Sequence, residues 1–173
     1  MQFSAILVAT FAALTIAAPT GQKAKRVAVL STKTYDEISI SGATAGDAEA
    51  EAIAVLTNNG ALDLNDLANV DPADIEFLGS VNDIANDAET DAFNVAIEAA
   101  TGDEKVALQN GKIKNKVLKL EATVIELQAK AAQGEDTAAK LAAEQKKLDN
   151  NIALDAAAAG QPSTFLSFDA STA

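Results

Sequence analysis

Between residues 71 and 131 the apolar positions recur every three or four residues, the period of a helix that buries one face. Phe77, Val81, Ile84, Ala88, Ala92, Val95 and Ala99 make one such stripe. Asp71-Pro72-Ala73-Asp74 precedes it, with a capping aspartate, a proline suited to the first helical position and an acid for the positive end of the macrodipole. The pattern predicts one helix from residue 71 towards 100, weakened at Gly79 and in the Asn/Asp-rich run at 82–87. Thr101-Gly102-Asp103-Glu104 matches a capping box and predicts a fresh start. Ile113, Val117, Leu120, Val124, Leu127 and Ala131 then follow at alternating spacings of four and three, the seam of a coiled coil.

Gln133-Gly134 is a stop signal, and Asp136 or Thr137 restarts a helix carrying Leu141, Leu148 and Ile152 until Gly160 and Pro162. A connection of so few residues predicts an antiparallel hairpin. Upstream, residues 47–59 read as a helix with Ala48, Ala52, Val55 and Leu56 on one face, ended by Asn58-Asn59-Gly60. A shorter helix is predicted at 64–69. The fold class is therefore all-α, a compact bundle of four or five helices with a long C-terminal hairpin. The helical domain spans 47–160, with an extended or disordered lead-in at 27–46 and a tail at 161–173.

The beginning of the chain follows a different pattern. Residues 5–18 form an uncharged apolar run ending in small residues, as a secretory leader and its cleavage site require. Thr15 and Ala17 suit the −3 and −1 positions, Ala18 closes a signal peptide spanning 1–18, and Pro19 falls just inside the mature chain. The run is shorter than the roughly 20 apolar residues of a membrane span. Lys25-Arg26 ends a candidate propeptide at 19–26 and matches the dibasic site of a processing protease. Removal of residues 1–26 leaves ten lysines against 25 acids, a net charge of −15 in place of −12. The expected location is extracellular.

The 173-residue chain has no cysteine, so a protein bound for an oxidising compartment relies on packing alone. It has no histidine either. Together these absences remove Ser-His-Asp and Cys-His nucleophilic sites and imidazole or thiolate metal ligation. The closest calcium-like stretch, residues 63–69, lacks the glycine turn and distal glutamate of an EF-hand. Glycines are isolated, so no phosphate loop is visible. Aromatics at 4% leave little for a stacking platform under sugars or bases. The expectation is a protein without catalytic residues, cofactor or metal.

Charge is divided along the chain. Residues 34–104 hold 17 acids and no lysine or arginine, whereas 105–155 hold nine lysines and seven acids. Lys112, Lys116 and Lys119 share one helical face beside the apolar seam. This basic face could meet anionic lipid or phosphate. The simpler partner is the protein's own acidic helix, with Asp83, Asp87 and Asp91 at i, i+4 and i+8. A nucleic-acid partner is disfavoured by the large negative charge.

ISGATAGDAEAEA at 40–52, GKIKNKVLKLEATVIELQAKAAQG at 111–134 and AAEQKKLDNNIALDAAAAGQ at 142–161 resemble the uncharacterised small secreted proteins of filamentous fungi. The resemblance implies a cysteine-free helical protein released behind a signal peptide, with an effector-like role at a host interface and no established catalytic residues. The functional expectation is a non-enzymatic interaction protein acting on a host or cell-wall protein or glycan. The alternative is a carrier or coat that binds lipid or hydrophobic surfaces, with Phe165, Leu166 and Phe168 as an adhesive tail.

Overall fold

The structure, a computed structural model, describes residues 26–173. The leader boundary at Ala17 and Ala18, and Lys25 of the dibasic pair, lie outside the described residues. The fold is an all-α bundle: α1 is Tyr35–Ile38, α2 Ala48–Leu56, α3 Pro72–Asp87, α4 Asn94–Ala99, α5 Gly102–Ala132 and α6 Ala138–Ala157. A 3₁₀ turn covers Leu67–Asn69. Among the described residues the only β-type pairing is two isolated antiparallel bridges, Thr34 with Ser171 and Thr44 with Pro162.

Helix α5 is the axis of the bundle. Helices α3, α6 and α2 all pack on it, so from Leu108 to Ala129 it is enclosed on most sides rather than along one seam. Val117, Leu118, Ala122, Val124 and Ile125 meet Leu56, Leu78, Val81 and Ala85 in the main core. Helix α6 contributes mainly Leu148, with Leu141 and Ile152 half-buried, and forms the second arm of the predicted hairpin.

α3 starts where the sequence places it. Asp71 accepts from Ala73 N–H at 2.9 Å and Pro72 occupies the first turn. The run to Ala99 is continuous, but a π-helical turn over Ala88–Phe93 joins α3 to α4, and Asn94 N–H donates to Glu89 O five residues back. One inserted residue turns everything downstream by about 100°. The buried stripe therefore passes from Phe77, Val81, Ile84 and Ala88 to Phe93, Ile97 and Ala100, while Val95 is 61% exposed. Phe93, Ile97, Ala100 and Leu108 form a second small core at that end of the bundle.

The α5 start lies at Thr101, whose side chain makes no capping bond; Gly102 opens the helix with φ +58°. A capping box is found instead at Thr34, where the side chain accepts from Glu37 N–H and Glu37 accepts from Thr34 N–H.

The lead-in at 27–46 departs from a purely extended or disordered segment. It contains α1 and buries Tyr35, Ile38, Ile40 and Ser41. It is held along its length by the tail. Thr172 N–H donates to Lys33 O, Tyr35 N–H to Ala170 O, Ser163 N–H to Ala43 O and Ala45 N–H to Gln161 O. The two segments run antiparallel, and the tail pairs with the lead-in's backbone donors and acceptors. Phe168 meets Tyr35 edge-to-face at 5.9 Å, and Leu166 packs against the Phe93 core.

Candidate functional site

A polar groove lies between α3, α5 and α6. Its volume is about 900 Å³. Three features of the sequence shape it. Gly79 removes a side chain from its α3 wall, where an added Cβ would come 3.7 Å from Glu126 Oε1. Asn82 and Asn86, one helical turn apart, put amides on the same wall. On α6, Lys140, Lys147 and Asn151 recur at spacings of seven and four, so the facing wall is polar as well.

Within the groove, acids and lysines are partly matched. Lys119 Nζ is 2.6 Å from Glu89 Oε2 and 3.3 Å from Asn86 Oδ1. Lys130 pairs with Glu126, which holds the Lys130 ammonium above its usual pKa through the hydrogen bond. Lys147 reaches Glu144 at 2.9 Å. Asn82 donates to Thr123 Oγ1 at 2.7 Å, and Thr123 donates to Lys119 O. Lys116, Lys140 and Lys146 also line the groove and make no ion pair among the described residues. Asn151 is buried, and its Nδ2 donates to Lys147 O, but its Oδ1 has no partner. The groove therefore offers free ammonium donors on two walls, whereas the Asn151 oxygen is shut off from its surface.

Of the basic face, Lys112 donates to Asn94 Oδ1 at 2.6 Å and approaches Glu89 at 3.9 Å. Lys119 shares Glu89, and Lys116 turns into the groove. The acidic partner is thus Glu89 rather than Asp83, Asp87 or Asp91, of which none forms an ion pair among the described residues. The π-helical turn begins at Ala88, so the 3.6-residue count carried through it misplaces Asp91; Asp83 and Asp87 precede the turn.

The remaining polar groups along α5 tie the bundle together. Lys114, fully buried, donates to Gly42 O at 3.1 Å and Thr44 O at 2.9 Å, and its Nζ is 2.7 Å from Glu51. Asn115 accepts from the Tyr35 hydroxyl at 2.9 Å and donates to Ala85 O. Burial pushes the Tyr35 phenol above its usual pKa. Asp155 of α6 accepts from Gly46 N–H and Ala48 N–H, capping α2 from another helix. Asp74 accepts from Val29 N–H and Leu30 N–H and so fastens the lead-in to α3. Among the described residues, no group of three or more Asp or Glu side chains is placed to hold a metal ion.

Arg26, the basic residue of the dibasic pair that the structure describes, is engaged by the fold. Its guanidinium donates to Ala68 O at 2.9 Å, Gln133 Oε1 at 2.9 Å and Val70 O at 3.2 Å.

The molecule is a helical bundle wound about one buried helix, with a polar groove on one flank. The chain belongs to the family described as a domain of unknown function (DUF8454), whose model matches residues 30–167. That span takes in every helix among the described residues and most of the tail. No curated protein and no solved structure matches it. No helix among the described residues is long and apolar enough to cross a membrane.

Of the groove's unpaired lysines, Lys116 belongs to the basic face that the sequence marks; Lys140, Lys146 and the amides carry no such signal. NDIAND at 82–87 reads there only as a weak stretch of helix, although Asn82 and Asn86 already share a face by spacing. What was missing is the knowledge that this face looks onto α5 and α6 and not onto solvent.

Proposed function

We propose that this is a secreted, non-enzymatic binding protein that recognises an acidic, hydroxyl-rich ligand, of the class of a uronate oligosaccharide, in the groove between α3, α5 and α6. The observation that carries the reading is a set of three groove lysines that no carboxylate answers among the described residues. Lys116, Lys140 and Lys146 face the groove without an ion pair among the described residues, and the Asn86 and Asn150 amides beside them can meet hydroxyls. Five lysines line the groove against four acids, a local balance on the positive side in a chain of net charge −12. Recognition here is by hydrogen bond and charge, which suits a chain with 4% aromatics. The extracellular setting rests on the leader, and a fungal origin with an effector-like role at a host or cell-wall surface rests on the resemblance set out above.

Titration calorimetry with oligogalacturonate, against a neutral gluco-oligosaccharide of equal length, tests the reading. Saturable binding of the acidic oligomer that weakens with salt supports it; no saturable binding of either oligomer overturns it. The lipid-coat reading has less to draw on, since Phe168 and Leu166 are taken up in internal packing and only Phe165 of the three tail residues stays exposed.

A further inference from the structure

We infer that the fold itself controls processing at Lys25-Arg26: a dibasic-specific endoprotease cuts the chain only before it folds, and the folded chain keeps Arg26 as a structural latch. Hydrolysis of the Arg26–Val27 bond adds water across it, leaving a carboxylate on Arg26 and an amine on Val27. A protease specific for basic residues must take the Arg26 side chain into an acidic pocket and hold the chain on both sides of that bond extended. The structure engages the side chain and the backbone that follows the bond. The guanidinium is committed to three acceptors, Val70 O, Ala68 O and Gln133 Oε1. Beyond the bond, the Val29 and Leu30 amides are committed to the buried Asp74 carboxylate at 3.0 and 2.8 Å.

The latch has a further role at the end of α5. Gln133 is the C-cap of this 31-residue helix and also donates through Nε2 to Val70 O at 3.0 Å. Arg26 thus places a positive charge at the negative end of the α5 macrodipole and joins it to the turn that follows Leu67–Asn69. Opening this arrangement costs three hydrogen bonds at Arg26 before the bond can be reached. Cutting before folding produces a chain that starts at Val27 and leaves Gln133 Oε1 without its donor.

The test uses the folded chain from Pro19 onward, treated with a dibasic-specific serine endoprotease and followed by intact mass. An unstructured peptide covering residues 20–32 serves as the uncovered reference. Cleavage after Arg26 in the folded chain is expected to be at least about tenfold slower than in the peptide, as local opening requires. Gln133→Ala, which leaves the dibasic sequence intact and loosens only the latch, is expected to speed cleavage, with Asp74→Asn doing so through the backbone beyond the bond. A chain beginning at Val27 is expected to melt below one beginning at Pro19. Cleavage of the folded chain at the peptide's rate, or rates unaltered by both substitutions, overturns the inference.

Discussion

Lys114 Nζ sits 2.7 Å from the Glu51 carboxylate and joins the middle of α5 to α2. The two ends of this pair differ: the lysine side chain is 1% exposed and the glutamate side chain 39%. Glu51 can therefore recover water when its partner is lost, whereas the carbonyls of Gly42 and Thr44 depend on the lysine. Contact with Glu51 is an ion pair rather than a well-aimed hydrogen bond. Lys114→Met preserves the length of the side chain and removes its donors. It is expected to lower stability by about 3 kcal/mol, read as a lower urea midpoint. Glu51→Gln is expected to cost less, because the lysine keeps both carbonyls.

Glu121, buried on α5, has its carboxyl pushed up to about 7, first by burial and second by the charge of Glu49 on α2. The folded state therefore holds this proton more tightly than the unfolded state, whose glutamate titrates near the ordinary value. Stability from this group is greatest at about pH 4.5 and below, and falls as pH rises towards 7. Above pH 7 the penalty is fully present, about 3 kcal/mol at most. Glu121→Gln is expected to raise the urea midpoint at pH 8 and to leave it nearly unchanged at pH 5. An equal gain at both pH values would show that the carboxylate charge is not what costs stability.

The helix starts at Asp71 and near Thr101, and the α5–α6 hairpin, are legible in the sequence because each rests on a local signal of a few residues. The phase of the stripe after Ala88 is not. A π-helical turn leaves no composition mark, and its effect is visible only in the five-residue step from buried Ala88 to buried Phe93. The antiparallel pairing of 33–45 with 160–172 was hidden for another reason: it is backbone to backbone across more than a hundred residues, and side-chain pattern says little about it. Thr34-x-x-Glu37 did carry a readable capping signal, in a stretch too short to suggest a helix by period. The groove lay beyond sequence reading because its walls come from three helices, and local pattern does not say which polar face of one looks onto the others.

Gly111 and Gly79 both lie inside helices, and the structure separates them. A Cβ at Gly111 would meet Thr164 O at 2.1 Å and Phe93 Cε1 at 3.1 Å, and the obstructing oxygen belongs to tail backbone whose amide donates to Ala107 O. Gly111→Ala is expected to cost about 1–3 kcal/mol by forcing the tail off α5. At Gly79 the nearest atom is 3.7 Å away, an ordinary contact with a side-chain end. Gly79→Ala is expected to stabilise the protein by about 0.5–1 kcal/mol through helix propensity. Thermal melts of the two variants should move in opposite directions.

Lys119 and Lys116 stand one turn apart on α5 and separate stability from recognition. Lys119 is held by Glu89 at 2.6 Å with both side chains 15% exposed, whereas Lys116 lines the groove without an ion pair among the described residues. Lys119→Gln is expected to lower stability by about 1 kcal/mol, and the loss should shrink as salt screens the pair. Lys116→Gln removes a charge that no acid answers, so its melting temperature should stay within a degree or two, roughly the scale of a surface substitution. Its effect should appear in binding. Removing a charge-assisted contact to an acidic oligosaccharide is expected to weaken affinity about tenfold, since hydrogen bonds to charged groups contribute about 1.5–3 kcal/mol. Calorimetry at two salt concentrations checks both halves together. A Lys116→Gln protein that binds like the wild type, in a chain whose binding Lys140→Gln and Lys146→Gln also leave untouched, would place recognition outside the groove.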